Sequence, residues 1–309
     1  LNGDLSFQIG SPAINAGNPN GFYTDSDGTR NDIGISGGNN VFVSKEVVDF
    51  GNVDASSGSC CISTYIYNFY GVLSLSSYSG SDLNSFSVSN DSEVLTEIGI
   101  FEKIEPKLSL QNISPGTYSA DVNIIFSNRP NNNGTITGTA QIYNVPSGNI
   151  NVPSDIPSIQ AALELASEGH TITVASGEYF EDLQLGFGKQ NITLKSESGP
   201  QQTIINGVQS WNDRLINIDA DYFTMDGFTI KNHDGVAIRG YDSRGSIFKN
   251  LVLQNNRYHQ FANSIIQNCL FIENYGTLNV IGDDPNNQYV NLFHNVTIAG
   301  NKPVFNFQI

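Results

Sequence analysis

The chain has 309 residues, 14% of them charged, with 30 Asp and Glu against 14 Lys and Arg and a formal net charge of −16. That balance argues against nucleic acid and anionic membrane surfaces as partners, because clustered Lys and Arg supply phosphate binding, and it makes cations the expected bound ions. The three cysteines, Cys60, Cys61 and Cys269, give no disulfide framework. The length suits two or three ordinary domains or one elongated repeat. No segment resembles a transmembrane span or a secretory leader, and the chain opens on Leu with its one methionine at Met225. This reads as a mature or excised piece of a longer polypeptide.

The first predicted element, within residues 1–40, is a turn-rich segment containing "SPAINAGNPNGFYTDSDGTRNDIGISGG", too polar and glycine-rich to hold a core. In it Asp25, Asp27 and Asp32 surround a glycine turn. The D-x-D-G start is similar to calcium loops in which alternate side-chain oxygens converge on a hard cation. The full EF-hand spacing and its bidentate Glu are missing, so turn-capping carboxylates, one paired with Arg30, are the other reading.

Residues 41–147 show short alternating runs separated by turn signals, the pattern of half-buried antiparallel strands. In "YSADVNIIF" the residues Tyr118, Val122, Ile124 and Phe126 share a face, and "TITGTAQIY" turns Ile136, Ala140 and Ile142 inward. Six or seven such strands predict a β-sandwich. "VVDFGNV", "FSVSN", "ISPGTYSADVNIIFSN" and "GTITGTA" resemble the immunoglobulin-like Hydin or choice-of-anchor type domain, which implies a multidomain bacterial surface protein.

Residues 148–309 open with a helix predicted over 156–167, where Ile156, Ile159, Ala162, Leu163 and Ala166 fall at helical spacing. Ser154 or Asp155 is the expected cap and Gly169 the stop. A strand holding Ile172 and Val174 follows. Then "KQNITL", "MDGFTI", "FKNLVL", "IQNCLF" and "FHNVTI" repeat, with Asn191, Gly227, Asn250, Asn268 and Asn295 separated by 36, 23, 18 and 27 residues. Irregular periods around a constant core predict a solenoid whose asparagines form a bend ladder, the longest period hiding an extra coil or insertion. The helix is expected to seal the first coil and "NVTIAGNKPVFNFQI" to leave the last one open.

"PSIQAALELASEGHTITVASGEYFEDL" and "ITLKSESGPQQTIING" resemble the pectin-lyase-like right-handed parallel β-helix superfamily. In bacterial members, sequences similar to "NGDLSFQIGSPAINAGNPN" and "DSDGTRNDIGISGG" lie at the end of the β-helix. The resemblance therefore implies that residues 1–40 are a terminal coil or cap. They would complete either a preceding β-helix of the same polypeptide or another copy of this chain, stacked head to tail. The expected fold is all-β: a right-handed parallel β-helix with one capping helix, joined to an immunoglobulin-like β-sandwich.

The resemblance also prompts a search for the acids and bases of β-helix lyases, esterases and hydrolases, and none of those motifs is matched. Asp283 and Asp284 in "GDDPNNQ", with Asp242, Arg244, Arg257 and His259, read as loop residues. With Tyr241, Tyr258 and Phe261 they would line a saccharide groove, or they are solvated loop polarity. His170 and His294 read as structural, and Trp211 as a sugar platform or a hydrophobic plug. The expected function is a structural stalk or adhesin segment, extracellular or at the cell surface, not an enzyme, whose partners are glycans or other copies of itself. The alternative is a module that binds or degrades polysaccharide.

Overall fold

The computed structural model describes Ala16 and residues 41–44, 46–57, 61–68, 73–80, 84–89, 97–99, 102–111, 114–127, 134–240, 243–281, 291–302 and 305–308. The calcium reading at Asp25, Asp27 and Asp32 lies outside the described residues. The chain divides into two compact units between Tyr143 and Asn144. Among the described residues the regular elements are strands, apart from one α-helix and one 3-10 turn in the second unit.

In the first unit a five-stranded sheet runs in the order Val47–Asp54, Gly134–Tyr143, Gly116–Phe126, Leu73–Gly80, Glu97–Ile98. Its two long central strands alternate strictly, burying Ala120, Val122, Ile124 and Phe126 from one and Ile136, Ala140 and Ile142 from the other. Outward positions pair across the strands: Thr137 donates its hydroxyl to Asp121 and Thr135 to Asn123. Phe86 and Leu108, from a three-stranded sheet, press on the inward face at Gly138, where an added Cβ would lie 2.8 Å from Leu108 and 2.9 Å from Phe86. Glycine is thus required there for the two layers to approach.

Among the described residues eleven strands lie between Val41 and Tyr143, more than the six or seven expected. The excess comes from runs that change sheets. "CISTYIYN" breaks at Thr64 and Tyr65, whose amides bond to the Pro106 carbonyl and the Ser44 hydroxyl, so that Cys61–Ser63 and Ile66–Asn68 join different sheets. The opposite run breaks at Glu105 and Pro106 in the same way, because proline has no N–H to continue a ladder.

The second unit is a parallel β-helix. Three sheets of seven, six and six parallel strands are each assembled from one strand per coil. After the lead strand Asn149–Val152, the first coil contributes Thr171–Val174, Gly177–Tyr179 and Leu183–Leu185, and the last Leu292–His294, Thr297–Ala299 and Phe305–Gln308. Side chains stack in register along the axis. The first sheet buries the column Ile150, Ile172, Leu194, Met225, Phe248 and Ile266. The second buries Ile205, Ile230, Leu253 and Phe271, and then reaches Ile298, which is 42% exposed in the last coil.

Each corner is a column of left-handed residues. Gly227, Asn250, Asn268 and Asn295 turn the chain from first to second sheet with φ of 81°, 54°, 53° and 51°. Asn250 donates to Asp226 (2.6 Å), Asn268 to Asn250 (3.2 Å) and Asn295 to Asn268 (2.9 Å), which is the ladder read from the sequence. Asn191 does not belong to it. It sits at the corner from third to first sheet, aligned with Tyr222, Gly245 and Asn263, all at positive φ. The long first spacing is only in part a change of corner: in register, from Lys195 to Asp226, this coil is still 31 residues long because it carries the insertion allowed for in the sequence, the turn Gly207–Gln209 and the loop after it. No extra coil is hidden, since Thr193 lies directly opposite Thr224 in the next coil. Asn232, Asn255, Glu273 and Gly300 form a third left-handed column.

The helix spans Ile159–Leu165, shorter than 156–167, and its cap is Ser158, whose hydroxyl accepts from Ala161 N at 3.2 Å. Asp155 is unavailable for capping because its carboxylate takes the backbone and side-chain amides of Asn151. The helix ends before Gly169, at Ala166, which is extended. Both termini are satisfied by distant residues. Glu181 accepts from Ile159 N (3.1 Å) and Gln160 N (2.9 Å), while the Lys189 ammonium donates to the carbonyls of Leu163, Glu164 and Ala166. The helix packs on the first coil through its buried face of Ile159, Ala162, Leu163 and Leu165.

Candidate functional site

Of the expected saccharide-groove residues, the structure brings Arg257 and Tyr258 together. They stand where the second sheet turns toward the third, with the guanidinium carbon 4.8 Å from the Tyr258 ring centroid. Arg257 lies 3.7 Å from Asp234, which also accepts from the Tyr275 hydroxyl at 3.2 Å. Tyr241, Asp242, Asp283 and Asp284 lie outside the described residues. Arg244 is exposed, and its backbone N–H is bonded to Asp221.

His259 and Phe261 are corrections. Both point inward from the strand Tyr258–Ala262 rather than lining a loop, and they are 2% and 0% exposed. Phe261 packs edge-on against Phe248 at 5.0 Å. His259 occupies the column of Ile238 and Leu278, where burial pushes its pKa down to about 4, countered in part by the Asn274 side chain. It is a neutral core residue. His294 is exposed at the end of Leu292–His294, the last strand of the first sheet, and His170 Nδ1 accepts from Ser167 N in a turn.

Beside His259 runs a buried polar column. Asn256 accepts from His233 N (3.1 Å) and donates to the Ile230 carbonyl (2.9 Å), and Asn274 repeats the pattern with Asn256 N and the Leu253 carbonyl. Asn301 continues it onto Asn274 N and the Phe271 carbonyl. These amides replace water at a corner where the backbone leaves sheet pairing, a structural role.

A more open site lies at the start of the solenoid. The N-terminal ends of the third-sheet strands Leu183–Leu185 and Arg214–Ile218 form a groove of about 540 Å³. Asp182 and Asn212 face each other across two coils, with Asn212 Nδ2 donating to Asp182 Oδ2 at 2.5 Å. The other oxygen, Asp182 Oδ1, is withdrawn from solvent and has no hydrogen-bond partner. Gln160 forms the wall toward the helix, its amide held by Gln184 N and Glu164. Asp213 and Arg214 line the far side.

Trp211, next in sequence to the lining residue Asn212, is 99% exposed, which removes the plug reading. Phe180, on the loop below, is 47% exposed. Sequence reasoning missed the groove because "EDLQL" and "SWNDRLI" lie a full coil apart and only the solenoid register brings them side by side. The one sequence signal was a tryptophan in a polar loop.

Among the described residues no group of three or more His, Cys, Asp and Glu is placed to hold a metal ion, and no helix is long and apolar enough to cross a membrane. Cys269 is a buried free thiol, its pKa pushed up to about 11 by burial.

No protein-family model matches the chain, and no curated protein matches it. Among solved structures, the chain is similar to a protein of unknown function from Porphyromonas gingivalis W83, at 17% identity and a TM-score of 0.27 over 33% of this chain and 46% of that one. It is also similar to the VesB protease of Vibrio cholerae, at 19% identity and a TM-score of 0.27 over 34% of this chain and 32% of the protease. The chain thus spans less than half the length of either structure.

Proposed function

We propose that this chain is a structural segment of a bacterial cell-surface or secreted multidomain protein, a stalk or adhesin segment that carries a β-helix and an immunoglobulin-like sandwich. The observation that carries the reading is the continuity of the β-helix. Backbone pairing runs without a missing rung from Asn149–Val152 to Phe305–Gln308, with a left-handed corner column and a buried asparagine column supporting it. Such an array resists local opening, because each rung is held by its neighbours and few loose segments are offered to proteases. The resemblance to pectin-lyase-like β-helices and to Hydin or choice-of-anchor type domains supports an extracellular setting.

The test has two arms. Limited proteolysis and hydrogen exchange on the purified chain should show protection spread evenly over the coils after the first. Turnover of a polysaccharide, measured as release of reducing or unsaturated ends with and without calcium, would overturn the reading.

A further inference from the structure

We infer that the groove between the first two coils is a binding site for an uncharged glycan, with Trp211 as its stacking platform; the site stands independently of the structural role. The first argument is exposure. A tryptophan with 99% of its surface in water contributes nothing to folding, yet it presents the largest flat apolar face of any side chain. The axial hydrogens of a pyranose ring form a matching flat apolar face, and the ring's hydroxyls project around its rim.

The second argument is the polar complement. Asp182 Oδ1 is a carboxylate oxygen withdrawn from water and left without a donor, an arrangement that is costly unless a ligand supplies one. A sugar hydroxyl is a donor of the right size. Gln184 is exposed on the same face, and among the described residues neither its amide nor the Arg214 guanidinium has a hydrogen-bond partner, so both are available to hydroxyl oxygens. Asp213 adds acceptors. Planar amide, guanidinium and carboxylate groups bond two neighbouring hydroxyls at once, which is how vicinal diols are recognised.

The third argument fixes the charge of the ligand. Asp182 and Asp213 place two carboxylates in the groove against one guanidinium, on a chain of net charge −16. A uronic-acid or sulfated polymer would be repelled. A neutral chain loses nothing. Asp182 and Asn212 come from consecutive coils, so a glycan lying along the axis would meet successive rungs spaced about 4.8 Å apart, close to one sugar unit per rung.

Trp211 is the chain's one tryptophan, so its fluorescence reports the site directly. The full chain would be titrated with neutral hexasaccharides of glucose, mannose, xylose and N-acetylglucosamine, and with hexagalacturonate. At least one neutral probe should blue-shift the emission saturably, and hexagalacturonate should not. In calorimetry with that probe, Trp211→Ala should weaken binding at least tenfold and Asp182→Asn severalfold. Trp211→Ala removes no folded-state contact, so an intact melting curve is expected to accompany the loss. Absence of a shift and of heat with all four neutral probes, preference for hexagalacturonate, or an unchanged Kd in Trp211→Ala would each overturn the site. So would a blue shift produced by raising protein concentration alone, which would assign Trp211 to contact between copies.

Discussion

At single positions the solenoid places residues where their chemistry is unfavourable, and those positions are its most sensitive. Glu273 holds φ of 54° in a column otherwise filled by Asn and Gly. A Cβ-bearing residue in that conformation costs about 1 kcal/mol, less for Asn, whose short side chain bonds locally. Glu273→Asn should raise stability by about 0.5–1 kcal/mol in denaturant melts and lengthen the ladder of Asn232 and Asn255. His259 gives a pH signature. Its folded pKa of about 4 lies below the ordinary value of 6.5, so the folded state resists a proton that the unfolded chain accepts. Its contribution is intact above pH 6.5 and is lost progressively as pH falls toward 4, a penalty on the order of 3 kcal/mol. His259→Leu, matching its column neighbours Ile238 and Leu278, should flatten the stability difference between pH 7 and pH 4.5; equal slopes in both proteins would refute the assignment. The sequence displayed Asn250, Asn268 and Asn295 openly, because Asn advertises a left-handed bend. Tyr222 and Glu273 were illegible as bends, since only register with their neighbours imposes φ on them.

For elements, the helix Ile159–Leu165 shows how far a local reading reaches. Its amphipathic face was legible from spacing alone, but it carries no acid in its first turn and no base in its last. Those charges arrive from the coil it covers: Glu181 at the N-terminus and Lys189 at the C-terminus, each opposing the charge of the helix end it meets. Burial lowers the Lys189 pKa, which is consistent with an ammonium held on carbonyls rather than in water. No periodicity analysis assigns a cap some 20 residues away. Glu181→Gln keeps the geometry and removes the charge, and should cost about 0.5–1 kcal/mol; Lys189→Met removes three donated hydrogen bonds and should cost about 1–3 kcal/mol. Hydrogen exchange should localise both losses to the helix and first coil. The groove beside Trp211 was hidden for the same reason, because both of its walls belong to elements far apart in sequence.

Across the whole molecule the β-helix couples coils only to their neighbours, so where a defect sits decides how far it is felt. A weakened cap frays one end, whereas a hole in the middle should separate the array into two parts that report on each other poorly. Phe248 is the position for that test. It is fully buried between Met225 and Ile266 in the first-sheet column, lies 6.4 Å from the Phe223 ring and 5.0 Å from the Phe261 ring, and fills the space left by Gly240, where a Cβ would come within 3.0 Å of it. Phe248→Ala removes the ring from three coils at once and should cost about 3–5 kcal/mol. In a globular core such a loss lowers one cooperative transition. Here the strands Thr224–Asp226 to Ser264–Gln267 should exchange first, with Thr171–Val174 retaining protection under its helix, and thermal unfolding of the second unit should broaden or split. A single sharp transition with evenly accelerated exchange would mean that the coils behave as one core, and the nearest-neighbour description of this β-helix would fail.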